Sequence, residues 1–233
     1  TKTTDTAASS AAPAAGSSTA QTTASESSVS ETAGSATASS QAAGMTNEEI
    51  IKKAASDGKL GNWGLGNEYE IEALLAKYGL PTNFLSQDFT MDGFDDDSIT
   101  LASAMTYNEL GLVKNSYDGA YGYGDSVGVI DMNDEGVAML EDNIFCTKDF
   151  AKKNPNTVAA FLYASLKGWE YACEHPEEAA EIVYNNGSSV SPEHQSYMAG
   201  EVAKLVKTDM NNNTVTDIGN MDDKAMQQTL DLA

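Results

Sequence analysis

The chain contains no arginine: all 13 of its basic residues are lysine, against 35 Asp and Glu, for a formal net charge of −22 at pH 7. Nucleic acid is thereby a disfavoured class of partner, because neutralising phosphates needs a basic face. The absence also weighs against bidentate capture of a phosphate, sulfonate or carboxylate, the task the guanidinium fork performs best. Lysines and backbone amides are left for it, and an acidic surface is in itself an ordinary route to solubility. Cysteine is scarce as well. Cys146 and Cys173 are too few for a disulfide framework or a metal cluster, and their apolar settings ("NIFCT", "WEYACEH") predict two buried thiols. His175 precedes a proline at a helix break and His194 lies on a polar helix start. Neither has a second ligand at metal spacing or a neighbouring nucleophile, so no metal, no cofactor and no catalytic triad is assigned.

No run is apolar for long enough to cross a membrane, and no secretory leader is read at Thr1, from which a removed beginning is expected. Residues 1–44 are almost wholly Ser, Thr, Ala and Gly, with no aromatic and only Val29 as a branched aliphatic. Such a segment buries too little surface to offset its ordering entropy, so residues 1–45 are expected to form a disordered tether. A tether of this kind suits a protein hung from a surface by a lipid attached in a removed N-terminal piece. That reading places the chain outside the cytoplasm, at a cell surface or in a periplasm, anchored to the plasma membrane.

What is present is an ordinary globular share of hydrophobic residues, 41%, organised into alternating strand and helix signals. Thr46 to Glu49 is a capping box that opens a helix through about Ala55. "KLGNW" (59–63) reads as a strand. "EYEIEALLAKYGL" (68–80) places Ile71, Leu74, Leu75 and Tyr78 at helical spacing before Gly79 closes the helix. "ITLASAM" (99–105) is a second strand, "NELGLVKNS" (108–116) a helix, "SVGVID" (126–131) a third strand and "DNIFCT" (142–147) a fourth. Helices follow at 154–175, 176–186, 191–208 and 222–233, three of them with a proline at or beside their start. This order predicts an α/β fold with a mainly parallel sheet over residues 46–233.

In such sheets ligands sit beyond the carboxyl ends of the strands. Three loops qualify. Trp63 to Tyr69 carries Gly64 and Gly66, which allow close backbone approach and free amides at a helix start. Met105 to Glu109 follows the second strand, and Asp131 to Gly136 the third. Each brings acceptors: Asn67 and Glu68, then Asn108 and Glu109, then Asn133, Asp134 and Glu135, with the flat rings of Tyr69 and Tyr107 beside them. A carboxylate, an amide and a ring in one crevice suit a small, flat, donor-rich heterocycle. The same acids also favour their own helix dipoles, by ~0.3–1 kcal/mol each. Both readings stand at the level of sequence.

The segments "GNWGLGNEYEIEALLAKYGL", "ASAMTYNELGLV", "VIDMNDEGVAMLEDNIF" and "NPNTVAAFLYASLKGWEYACEHPEEAAEIV" resemble successive parts of the solute-binding proteins of ABC importers. The resemblance is to the branch that holds binders of thiamine pyrimidine precursors, riboflavin and alkanesulfonates, together with the fungal pyrimidine synthase. It runs from about Lys59 to Ala233. It implies a type 2 periplasmic-binding lobe, with Trp63, Gly64, Asn67, Glu68, Tyr69, Tyr107, Asn108, Glu109 and Asp134 as ligand-binding residues. It also implies a second lobe at about 59–140 and a C-terminal helical part at about 141–233 that in the family packs largely on a first lobe. The tether and one short helix stand where that first lobe would be; a mature half-protein, a gene deletion, and a partner chain or oligomer that covers the gap are all open at this point.

The function implied is a lipoprotein-type substrate-binding subunit that delivers a thiamine pyrimidine precursor or similar heterocycle to the membrane subunits of an ABC importer. Two alternatives are a pyrimidine-biosynthesis enzyme like the fungal relatives and a degenerate lobe that binds nothing. The enzyme would need a Cys-rich motif and a His and a Lys from the first lobe. Limited proteolysis checks the tether: it is expected to trim the arm and leave a resistant core starting near Met45, and a protected arm would contradict it.

Overall fold

The computed structural model describes residues 44–211 and 213–233. The tether expected over 1–45 lies, except for its last two residues, outside the described residues. Helix α1, Asn47–Ser56, begins with the predicted capping box: the Thr46 hydroxyl accepts from the Glu49 amide at 3.3 Å, and the Glu49 carboxylate accepts from the Thr46 amide at 2.8 Å. Strand β1, Leu60–Asn62, is buried at every residue and leads into α2, Tyr69–Lys77. Strand β2, Leu85–Ser86, precedes the single turn α3, Asp92–Asp95. Strand β3, Leu101–Ala102, precedes α4, Glu109–Lys114.

The three strands form one parallel sheet in the order β2-β1-β3. Gly61 lies opposite Leu85 on one side and Ala102 on the other. The fold is thus the mixed α/β architecture expected, with a smaller sheet. Ile51, Leu60, Ile71, Leu74, Leu75 and Val137 fill its core, each at most 4% exposed; side chains of this kind stabilise by ~1.5–3 kcal/mol apiece when buried.

Three strand expectations need correction. β2 is absent from the sequence reading, because two exposed residues carry no alternation to read. Residues 126–131 form a 3-10 turn, Gly124–Ser126, and then irregular chain with Val129 52% exposed. Of that stretch Ile130 packs on the core, as does Met132 just after it. Residues 142–147 are likewise irregular, with Phe145 91% exposed. In both stretches an apolar composition finds no ladder to join, and composition alone does not make a strand. Cys146 is consequently exposed; only Cys173 is the buried thiol expected, and both are free.

The remaining helices are α5, Lys148–Lys153; α6, Pro155–Glu174; α7, Pro176–Asn185; α8, Pro192–Val206; and α9, Asp223–Leu232. Among the described residues no helix is long and apolar enough to cross a membrane. Helix α8 packs on α6, α7 and α4. At its contact with α4, a Cβ on Gly111 would come within 2.1 Å of the Tyr197 ring, so only glycine permits this approach. Helix α9 flanks residues 138–140, its Gln228 amide donating to the Ala138 carbonyl at 2.7 Å and its Thr229 hydroxyl accepting from the Leu140 amide at 2.9 Å.

The turn Asp131–Gly136 holds its place through Glu135. That carboxylate accepts from Lys77 Nζ at 2.6 Å, Tyr78 OH at 2.5 Å and Asn47 Nδ2 at 2.9 Å, and its side chain is 7% exposed. The bonds from Lys77, Tyr78 and Asn47 hold it down to about 2, from an ordinary 4.5. Because the folded pKa is depressed, this stabilisation is present above about 4.5 and is lost as pH falls toward about 2. Glu135→Gln is expected to cost about 1.5–3 kcal/mol, or roughly 3–10 °C in Tm. Melting curves across the acid range should show the variant lacking that part of the acid-induced loss.

Candidate functional site

The carboxyl ends of β1 and β3 are joined by a residue that no sequence motif singles out. Asn62, 2% exposed, donates through Nδ2 to the Ser103 hydroxyl at 2.9 Å and to the Asn67 carbonyl at 3.2 Å. Its Oδ1 accepts from the Gly64 amide at 2.8 Å. One buried amide therefore fixes the first loop against the end of β3. Its only trace in the sequence is a polar residue inside an otherwise apolar strand.

Within that first loop Gly64, Leu65 and Gly66 are successively left-handed, with φ of +69°, +63° and +96°. The two glycines adopt this without penalty, whereas Leu65 carries a cost of ~1–2 kcal/mol. The amides expected to be open are engaged: Gly64 on Asn62, and Gly66 on the Glu68 carboxylate at 2.7 Å. Asn67 is exposed, Glu68 half-buried and Tyr69 51% exposed. Trp63 is half-buried, and its Nε1 is buried with no hydrogen-bond partner among the described residues.

The second loop answers differently from either reading of its acids. Glu109 is 3% exposed; one oxygen accepts from the Met105 amide at 3.0 Å and the other from Asn108 Nδ2 at 3.1 Å. Burial pushes its carboxyl above the ordinary range, against the pull of those bonds. Asn108 Oδ1 lies 2.8 Å from His194 Nε2, and His194 Nδ1 lies 2.5 Å from the Tyr117 hydroxyl. These partners assign the proton to Nε2: it donates to the amide oxygen, and Tyr117 donates to Nδ1. Tyr197 stacks on the imidazole at 5.9 Å between centroids and donates to the Thr106 carbonyl at 2.7 Å. The Asn108–Glu109 pair thus joins the sheet edge to α8, with Glu109 buried and Asn108, like Tyr107, half-buried.

Asp134 does not join this edge. Its turn is bound to Lys77 and Tyr78 at the far end of α2, roughly 12 Å along the helix axis from Tyr69 at about 1.5 Å per residue. The acids that do arrive are Glu141 and Asp142. Burial and then the Asp142, Glu141 and Glu109 charges push the Tyr107 hydroxyl up. Glu141 is itself pushed up by loss of water contact and by Glu70 and Asp142. Glu141 and Asp142 thus act on Tyr107, and Glu70 acts on Glu141. The sequence pattern gives Glu141 no role and places Asp142 at the start of a strand. Separately, a crevice of about 220 Å³ lies on the flank of the sheet, between Gln87, Met91, Phe94, Ile99 and Ala102. None of the predicted site residues lines it.

In α/β proteins built on parallel sheets, small molecules are held beyond the carboxyl ends of the strands. The profile of the family described as NMT1/THI5 like matches residues 18–179, and the chain belongs to that family. It is a family of solute-binding-protein-like chains for thiamine precursors and alkanesulfonates, most of them binders, with some enzymes among the relatives. The match starts well before Lys59, where the resemblance in the sequence begins, and ends in α7. No curated protein and no solved structure matches the chain.

The buried imidazole generates a test. Burial holds His194 below its ordinary 6.5. As pH falls the unfolded chain takes up the proton first, so this contribution is complete above about 6.5 and declines below it. His194→Ala strands the Asn108 and Tyr117 partners, which is expected to cost about 2–3 kcal/mol or roughly 5–10 °C in Tm. Melting measured from neutral to mildly acidic pH should show wild type losing stability where the variant shows less loss.

Proposed function

We propose that this chain binds a small, flat, protonatable heterocycle of the thiamine pyrimidine precursor type at the carboxyl ends of β1 and β3, as the substrate-binding subunit of an ABC importer. The observation that supports this most directly is the Asn62 clamp, which brings the Trp63–Tyr69 loop beside the loop that carries Tyr107. Tyr69 and Tyr107 supply ring faces, worth ~0.5–1.5 kcal/mol beyond their buried area when a flat ligand stacks on one. Glu70, Glu141 and Asp142 supply the negative charge that an aminopyrimidine N–H prefers. Trp63 Nε1 is a buried donor for a ring nitrogen. In this reading the chain is a binder rather than a catalyst. It works outside the cytoplasm, held to the membrane by a lipid upstream of the Ser/Thr/Ala-rich arm, with the importer's membrane subunits as its partners. The domain plan that goes with it keeps a lobe at about 59–140 and a helical part from about 141.

Calorimetric titration with 4-amino-5-hydroxymethyl-2-methylpyrimidine, with riboflavin and an alkanesulfonate as comparators, tests the reading. Glu141→Gln is expected to weaken the aminopyrimidine by tenfold or more, the equivalent of losing a hydrogen bond to a charged acceptor of ~1.5–3 kcal/mol. Asp134→Asn, at the other end of α2, should leave its affinity unchanged. Equal effects of the two variants, or no heat with the aminopyrimidine, would count against the site.

A further inference from the structure

Of the large hydrophobic side chains that stand exposed among the described residues, most lie between Ile144 and Tyr184, on or beside α5, α6 and α7. Helix α6 carries the centre of this surface. Val158, Phe161, Leu162, Ser165 and Trp169 recur at helical spacing and share one stripe. On it Phe161 is 60%, Leu162 37% and Trp169 43% exposed. Contiguous exposed apolar surface of this kind marks an interaction site.

Charge identifies what covers it. At the head of this segment Lys148, Lys152 and Lys153 are exposed and pair with no carboxylate among the described residues. At its tail stand the exposed acids Glu170, Glu174, Glu177, Glu178 and Glu181. In a chain of net charge −22, a second copy approaches only where opposite signs meet locally. The positions allow that. Phe161 and Trp169 lie four residues to either side of Ser165, and Lys152 and Lys153 lie as far before it as Glu178 and Glu177 lie after. The helix breaks at Asn154 and His175 fall almost symmetrically about the same residue.

We propose that two copies of this chain pair through α6, antiparallel, about a twofold axis at Ser165. Phe161 of each copy then meets the partner's Trp169, with Ser165 small enough for close approach at the axis. Lys152 and Lys153 face the partner's Glu178 and Glu177, and every contact occurs twice, as an isologous interface requires.

Sedimentation velocity on the full chain tests this through a charge swap. Wild type should be a dimer at micromolar concentration. Lys152→Glu/Lys153→Glu and Glu177→Lys/Glu178→Lys should each dissociate at least tenfold more readily, because each homodimer then sets like charges together. An equimolar mixture of the two variants should recover the dimer, because both ends are complementary again. That rescue separates pairing from misfolding. Phe161→Ser/Trp169→Ser should be monomeric with unchanged circular dichroism. A monomeric wild type, dimers untouched by the apolar variant, or a mixture that fails to recover overturns the proposal. So does a monomer that co-floats with phosphatidylcholine vesicles, which would assign the face to a membrane instead.

Discussion

A buried imidazole ties the sheet to the helices that follow it. His194 stands on α8, and through Asn108 it reaches the turn that follows the sheet's third strand; through Tyr117 it reaches the chain beyond α4. Both ring nitrogens are used, and the amide between His194 and Glu109 is used at both of its ends. A polar chain of this kind is costly when incomplete and rigid when complete. Its completeness lets α8 lie close enough to α4 for Tyr197 to cover Gly111. The position of α8 against the sheet edge follows from that contact.

The scarcity of cations shapes the rest. With 13 lysines for 35 acids, most carboxylates cannot be paired with a charge, and the structure answers with amides and hydroxyls. Glu109 is held by a backbone amide and an asparagine, Glu68 takes a glycine amide, and Asp209 takes the amides of Asn211 and Asn213. Glu135, by contrast, takes a lysine and is held down to about 2. Glu141 takes no lysine among the described residues, and burial with the Glu70 and Asp142 charges pushes its carboxyl up.

The proposed ligand edge and the apolar stripe lie on different parts of the chain. The edge is built by β1, β3 and the segment that follows Val137. The stripe belongs to α6, outside the loops of the edge. Binding at one need not occlude the other, and the family match spans both, since it runs through α6 into α7.

Helix starts were legible in the residues, because Thr46, Pro155, Pro176 and Ser191–Pro192 announce them through local chemistry that needs no distant partner. The central strand was legible too, because β1 is flanked by turn signals and is apolar enough to be buried. The loops after β1 and β3 were also found from spacing alone. Strand identity elsewhere was not, since β2 is a strand only because β1 lies beside it, and residues 126–131 are not one because no strand does. The roles of the acids were hidden for the same reason. Glu109 and Glu135 read as loop carboxylates equal to Glu68 and Asp134, and only long-range packing buries the first pair and leaves the second partly or wholly open to water. Asn62 and His194 are single polar residues whose partners lie 41 and 86 positions away. The sequence by itself determined the local elements and their order, because those depend on neighbours within a turn; the tertiary structure decided which polar groups face each other, because that depends on where the chain returns.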